Sequence, residues 1–223
     1  MSAERLFDLI VLIVLLVLAA RLVPSASRIL RMYLTIRSRR LQDATSYAPP
    51  EPTAVTTVAT ALEPLGFSRI GVRSTDLPGI GRRFEWNLVD APTTTYVSIV
   101  PSTSLATGFL MAAYSAFPDG AFLSTHYPSG ATVQRPDFDS LPAGTTPAEA
   151  VLAHRERLST FSPGHGPALQ NRTMADLLAR DDTYRRRHGG ATIRTRVYLY
   201  VGITALVVVA AAVELLRVVV IDH

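Results

Sequence analysis

VYLYVGITALVVVAAAVELLRVVVI, residues 197–221, is apolar on every side of a helix. At 1.5 Å rise per residue its length matches a hydrocarbon core of ~30 Å. Only Glu214 and Arg217 interrupt it, both in its last third. A helix that is greasy all round has no role on the surface of a globular domain, so the stretch reads as a membrane span. Working outward, the chain is expected to hold a second span at 1–23, a basic juxtamembrane helix and proline-rich linker at 24–53, an α+β domain at 54–190 and this span within 191–223.

The first span is carried by LFDLIVLIVLLVLAARLV, residues 6–23, with Asp8 near its start. A cleavable signal peptide is the competing reading. It calls for a basic leader, whereas this leader holds Glu4, Arg5 and Asp8, and the arginines follow the apolar run instead. The run is therefore expected to stay as a helix.

Orientation follows from the same arginines. Arg21, Arg28, Arg31, Arg37, Arg39 and Arg40 come after the first span; Arg180, Arg185, Arg186, Arg187, Arg194 and Arg196 come before the second. Basic flanks resist translocation, so both termini are expected outside and the central domain in the cytoplasm of a two-span membrane protein. With Arg21 and Arg196 at the inner surface, Arg5 lies ~24 Å along one helix and Glu214 ~27 Å along the other. An antiparallel pair would then bring Asp8 close to Glu214 and Arg217. The alternative is that Glu214 and Arg217, three apart, simply pair with each other.

Residues 24–41, PSASRILRMYLTIRSRRL, read as a basic amphipathic helix, with Ser25 or Ser27 as cap. Arg28, Arg31, Arg37, Arg39 and Arg40 are placed to meet anionic lipid headgroups, each at about 1 kcal/mol. A straight continuation of the first span is the other reading. Nucleic acid is not expected as a partner, because no aromatic residues interleave with these arginines to stack bases.

Composition closes several routes. The 223 residues include neither lysine nor cysteine. Schiff-base and P-loop lysines are excluded, as are thiol nucleophiles, thiolate metal sites and disulfides.

After the linker QDATSYAPPEPT, Thr53 is expected to cap a helix that stops at Gly66. Strands are expected at 68–74, 84–88, 94–101, 108–117 and 121–127, with loops at 75–83 and 128–145. Pro118-Asp119-Gly120 marks a tight hairpin. Helices follow at 146–161, capped by Thr146 with Pro147 at its first position, and at 171–188. The sum is an α+β domain: an antiparallel sheet of about four or five strands with helices on one face.

Chemistry is sparse. His126, Asp137, Asp139 and His154 are the candidate catalytic residues, each with a blander alternative as a surface or rim side chain. Asp181-Asp182 reads as a surface pair, His165 as part of a turn, and His188 and His223 as ends of elements. Histidines at i, i+4 are lacking, and neither a metal nor a cofactor is expected. Gly79-Ile80-Gly81 lacks the strand-to-helix setting of a nucleotide fingerprint, and no serine sits in a G-x-S-x-G elbow. The leading expectation is a non-enzymatic accessory, interaction or sensing module of a membrane complex, with a membrane protein or a second copy as partner. A membrane-anchored hydrolase or ligand-binding enzyme is the alternative, and an oligomeric transporter component around Glu214 and Arg217 a minor one.

Overall fold

The computed structural model describes residues 3–35, 41–77, 81–90, 92 and 94–221. Arg37, Arg39, Arg40 and His223 lie outside the described residues, as do the side chains of Glu4, Arg5 and Arg196. The chain divides into two units, Met1–Ile36 with Ile193–His223, and Arg37–Thr192.

The first unit holds the two apolar helices. Helix α1 runs Ala3–Thr35 without a break, with Pro24 inside it. This corrects the expectation of a separate juxtamembrane helix after Pro24. The ring removes one backbone donor, but the helix carries on through local bonds: Ser25 Oγ donates to the Arg21 carbonyl at 3.3 Å and Ser27 Oγ to the Pro24 carbonyl at 2.9 Å. The last helix, called α5 in chain order, runs Ala191–Leu216 and continues as a wider π turn, Arg217–Ile221. Both helices are long and apolar enough to cross a membrane. Their large apolar side chains are exposed; Phe7 is 66% and Leu206 74% accessible.

The second unit is α+β. Eight strands form one mixed sheet in the order β1-β2-β3-β4-β5-β6-β8-β7. The strands are β1 (Gln42–Asp43), β2 (Phe67–Leu77), β3 (Gly81–Asp90), β4 (Tyr96–Pro101), β5 (Phe109–Ala116), β6 (Phe122–Tyr127), β7 (Val133–Arg135) and β8 (Phe138–Pro142). The sheet is larger than the expected four or five strands, and not wholly antiparallel, because β8 pairs parallel with β6. The extra strands lie in stretches that read as linker and loop. Gln42 and Asp43 pair with Ser74 and Arg73. Residues 75–77 and 81–83, expected in a loop, extend the β2–β3 pair.

The expected hairpin at 118–120 forms between β5 and β6. Gly120 N donates to the Phe117 carbonyl at 2.9 Å, Gly120 takes φ 83°, and Asp119 Oδ1 accepts from Ala121 N.

Helix α2 (Thr53–Leu62) starts after Pro52, which makes no side-chain cap, so Thr53 is its first residue rather than its cap. A 3-10 turn, Glu63–Leu65, ends at Gly66 in the left-handed region. Helix α3 (Pro147–His165) is capped by Thr146 as its sequence suggests, but runs through Ser162-Pro163 instead of stopping there. Helix α4 (Met174–Arg187) begins with a capping box in which Thr173 and Asp176 exchange bonds.

Helices cover both faces of the sheet, not one. On one face Val72, Trp86, Leu88, Val97, Ile99 and Met111 pack with Val55, Val58 and Leu62 of α2 and Val151 of α3. On the other, Tyr96, Phe122 and Phe138 pack with Leu177 and Tyr184 of α4. Strands β4 to β6 alternate between the two sets, so both sides must be covered. Each fully buried Leu, Ile or Met contributes about 1.5–3 kcal/mol.

Candidate functional site

The strand periodicity sorts the polar side chains between the faces. His126 pairs with Ala112, and Thr125 with Ala113, so His126 and Thr125 point to opposite sides of β6.

On the α3 side, His154 is wholly buried, which corrects its expected place on a solvated helix face. It falls on the stripe Ala150, Val151, His154 that α3 buries. A directed chain of hydrogen bonds surrounds it. Arg157 Nη1 donates to Thr125 Oγ1 at 2.6 Å, and that hydroxyl gives its own proton to His154 Nδ1 at 3.0 Å, because the ring proton sits on Nε2. His154 Nε2–H then donates to Ser115 Oγ at 3.1 Å, and Ser115 donates to the Thr94 carbonyl at 3.0 Å. Asp139 anchors the start through Arg157 at 2.8 Å. Burial, helped by Arg157, pushes the His154 pKa down to about 3. The imidazole is neutral with both nitrogens occupied. Its proton faces Ser115, the reverse of the arrangement that activates a serine nucleophile.

On the α4 side, His126 is half-buried rather than a free rim residue. Ser140 gives its proton to the Ala131 carbonyl and so accepts from His126 Nε2–H at 3.0 Å; Ser124 Oγ lies 3.2 Å from the same nitrogen. Burial, then Arg157, lowers the His126 pKa to about 4. Asp137 is exposed and pairs with Arg135 at 3.4 Å. No hydrogen bond joins any two of His126, Asp137, Asp139 and His154 among the described residues. Asp139 borders an open depression of about 500 Å³ between β7 and the end of α3.

The most concentrated buried charge was not singled out from the sequence. Arg73 of β2 lies 5% exposed between Glu85 of β3 and Asp181 of α4. Its Nε donates to Glu85 Oε2 at 2.8 Å and its Nη2 to Ser98 Oγ at 3.1 Å, while Ser98 donates to Glu85 at 3.0 Å. The Tyr96 hydroxyl donates to Asp181 Oδ1 at 2.7 Å. Asp181, expected at the surface, is thus an interior ion that joins α4 to the sheet. Burial would raise Glu85, but Arg73, with Arg83 and the hydrogen bonds, outweighs it and holds the pKa at about 2. Arg83 Nε adds a second contact to Glu85 at 3.3 Å, so the two carboxylates are neutralised within the cluster, the pattern of a buried structural ion network.

His188 and His165 also have built surroundings. Arg135 Nη2 donates to His188 Nδ1 at 2.9 Å, and His188 Nε2–H donates to the Gly120 carbonyl at 3.1 Å, with the ring stacked on Phe138. His165 is the last residue of α3 and pairs with Asp119 at 2.7 Å. Among the described residues, no group of three or more His, Asp or Glu is placed to hold a metal ion.

In the unit of apolar helices, Arg217 Nη1 lies 3.7 Å from Asp8 Oδ1 and 3.9 Å from Glu214 Oε1. The start of α1 therefore meets the end of α5, and Arg217 is shared between the two carboxylates. Arg28 and Arg31 occupy exposed positions of α1.

Comparison of the chain with protein-family models, curated proteins and solved structures finds no match.

Proposed function

We propose that the chain is a two-span membrane protein in which α1 and α5 hold the α+β unit at the cytoplasmic surface, where it acts as a non-enzymatic accessory, interaction or sensing module of a membrane complex. The observation that carries the reading is the exposed apolar surface of α1 and α5, with Leu6–Arg31 and Val197–Val219 as the spanning windows. Such surface is stable in lipid and costly in water. The arginine flanks set both termini outside.

Asp8, Glu214 and Arg217 form the charged end of the helix pair. Ionised groups at that depth persist when they neutralise one another, and one arginine between two acids does so in part. Arg28 and Arg31, in the last turn of the first window, meet anionic headgroups at the inner surface. The neutral state of His126 and His154, with both ring nitrogens of His154 bonded, supports an interaction role over a hydrolytic one.

Purification of the tagged chain at native expression in mild detergent tests the module role. A second membrane polypeptide, or a second copy, is expected in stoichiometric amount. Recovery of this chain alone and monomeric contradicts the proposal.

A further inference from the structure

His188 opens the buried turn, residues 188–190, between α4 and α5. Ala191, the first residue of α5, donates its N–H to the His188 carbonyl at 2.8 Å. The residue is 1% exposed, and its ring lies against Phe138 of β8 at 5.0 Å and Phe122 of β6 at 6.4 Å. Charged groups reach the ring from the β7 side. Arg135, the last residue of β7, donates to Nδ1 at 2.9 Å, and the carboxylate of Asp137 lies 3.9 Å from the same nitrogen. From α4 come Tyr184 and Arg187. The β5–β6 turn presents the Gly120 carbonyl to Nε2–H. In that turn the Asp119 carbonyl accepts from Arg187 at 2.6 Å, and the Asp119 carboxylate is held by His165 of α3.

Nδ1 thus stands between a cation and an anion. The neutral ring offers it as an acceptor, and Arg135 fills that place. A protonated ring turns Nδ1 into a donor, which Arg135 cannot satisfy and which Asp137 can. The bond from Nε2–H to Gly120 suits both forms. Burial pushes the His188 pKa down, the Gly120 carbonyl and Asp137 raise it, and Arg135 and Arg187 lower it. Asp137 also pairs with Arg135 at 3.4 Å, so a move to His188 frees Arg135 from both partners. Strand β7 is three residues long, lies at the edge of the sheet and pairs with β8. The link from Arg135 to His188 ties it to the α4–α5 turn.

We propose that His188 is an acid-operated switch, which holds Arg135 when neutral and Asp137 when protonated, so that acidification releases β7 from the turn leading into α5. The inference rests on the sensing role proposed above and names the proton as what is sensed.

The test is a nitrogen-15 NMR titration of the histidine rings of the full chain in lipid nanodiscs. It runs downward from pH 8 as far as circular dichroism reports the native fold, with His188→Gln assigning the signals. At pH 8 the His188 proton is expected on Nε2. On acidification Nδ1 is expected to gain a proton at a midpoint below the ordinary histidine value, and the Asp137 carboxyl carbon to shift with the same midpoint. Arg135→Met and Asp137→Asn alter exposed side chains. The first is expected to raise the midpoint and the second to lower it, each by about half a unit, or about threefold in proton affinity. Hydrogen exchange at residues 133–135, corrected for intrinsic rate, is expected to speed up about threefold or more as His188 protonates. A ring that stays neutral until the fold is lost overturns the proposal. So does a midpoint that moves the same way in both variants, or protonation that leaves exchange at 133–135 unchanged. Recovery of the chain alone and monomeric from mild detergent would contradict the module role without altering this titration, so the two failures are distinct.

Discussion

Thr125 of β6 donates its hydroxyl proton to Nδ1 of His154 across 3.0 Å, in a part of the core closed to solvent. Its direction is set at the other ring nitrogen, where Ser115 gives its proton to the Thr94 carbonyl and so accepts from His154 Nε2–H. It locks His154 in the neutral form, and from that a pH dependence follows.

His154 and His126 have folded pKa values of about 3 and 4 against a reference of 6.5. The unfolded chain takes up protons first as the pH falls, so stability is full above pH 6.5 and is lost on the way down to the folded values. At pH 5 each histidine costs about 2 kcal/mol relative to pH 7. Glu85, held at about 2 from 4.5, loses its contribution only below that window. Thermal unfolding of the detergent-solubilised chain, followed by Trp86 emission, is expected to drop by on the order of 10 °C between pH 7 and pH 5. His154→Gln should flatten part of that slope; an unchanged slope in the variant contradicts the account.

Arg73 between Glu85 and Asp181 yields a second expectation. Arg73→Met leaves two buried carboxylates facing each other and is expected to cost about 3–5 kcal/mol. The triple variant Arg73→Met, Glu85→Leu, Asp181→Leu removes both acids together with the arginine between them and should be more stable than Arg73→Met alone. Chemical denaturation of the three proteins checks the order.

Gly120 and Gly144 both adopt φ near +80°. A Cβ at Gly144 would lie 2.5 Å from the backbone nitrogen of Ala150, whereas at Gly120 it meets the tip of the Arg187 side chain. Both alanine variants pay the left-handed penalty of about 1–2 kcal/mol. Only Gly144→Ala also displaces the first turn of α3, so its melting temperature is expected to fall further than that of Gly120→Ala.

Arg217 lies 3.7 Å from Asp8 across the helix pair. A double-mutant cycle, Asp8→Asn with Arg217→Gln, is expected to give a coupling of about 0.5–1.5 kcal/mol in detergent unfolding, in line with polar contacts between membrane helices. A coupling near zero would mean that Arg217 pairs with Glu214 alone.

Much of the fold was legible in local sequence. The two apolar runs, the turn at Pro118-Asp119-Gly120, the strands β4 to β6 and the Thr146 cap all rest on short-range rules. The β7–β8 pair was not, because RPDFDS carries turn residues and β8 buries only Phe138 and Ser140. The second helical layer was hidden in a run such as YVSIV, where burial on both sides removes the polar alternation of a half-exposed strand. His154 had a readable signal that was passed over, its place on the stripe with Ala150 and Val151. Arg73 had none, since its partners Glu85 and Asp181 are 12 and 108 residues away and belong to different elements.

The central claim is the two-span topology, and the cysteine-free chain makes it directly measurable. Single cysteines at Ser2, Thr103 and Asp222 would be treated in intact cells with a membrane-impermeant maleimide. The account predicts labelling at 2 and 222, and labelling at 103 only after the cells are permeabilised. Labelling at 103 in intact cells, with 2 and 222 protected, would contradict it.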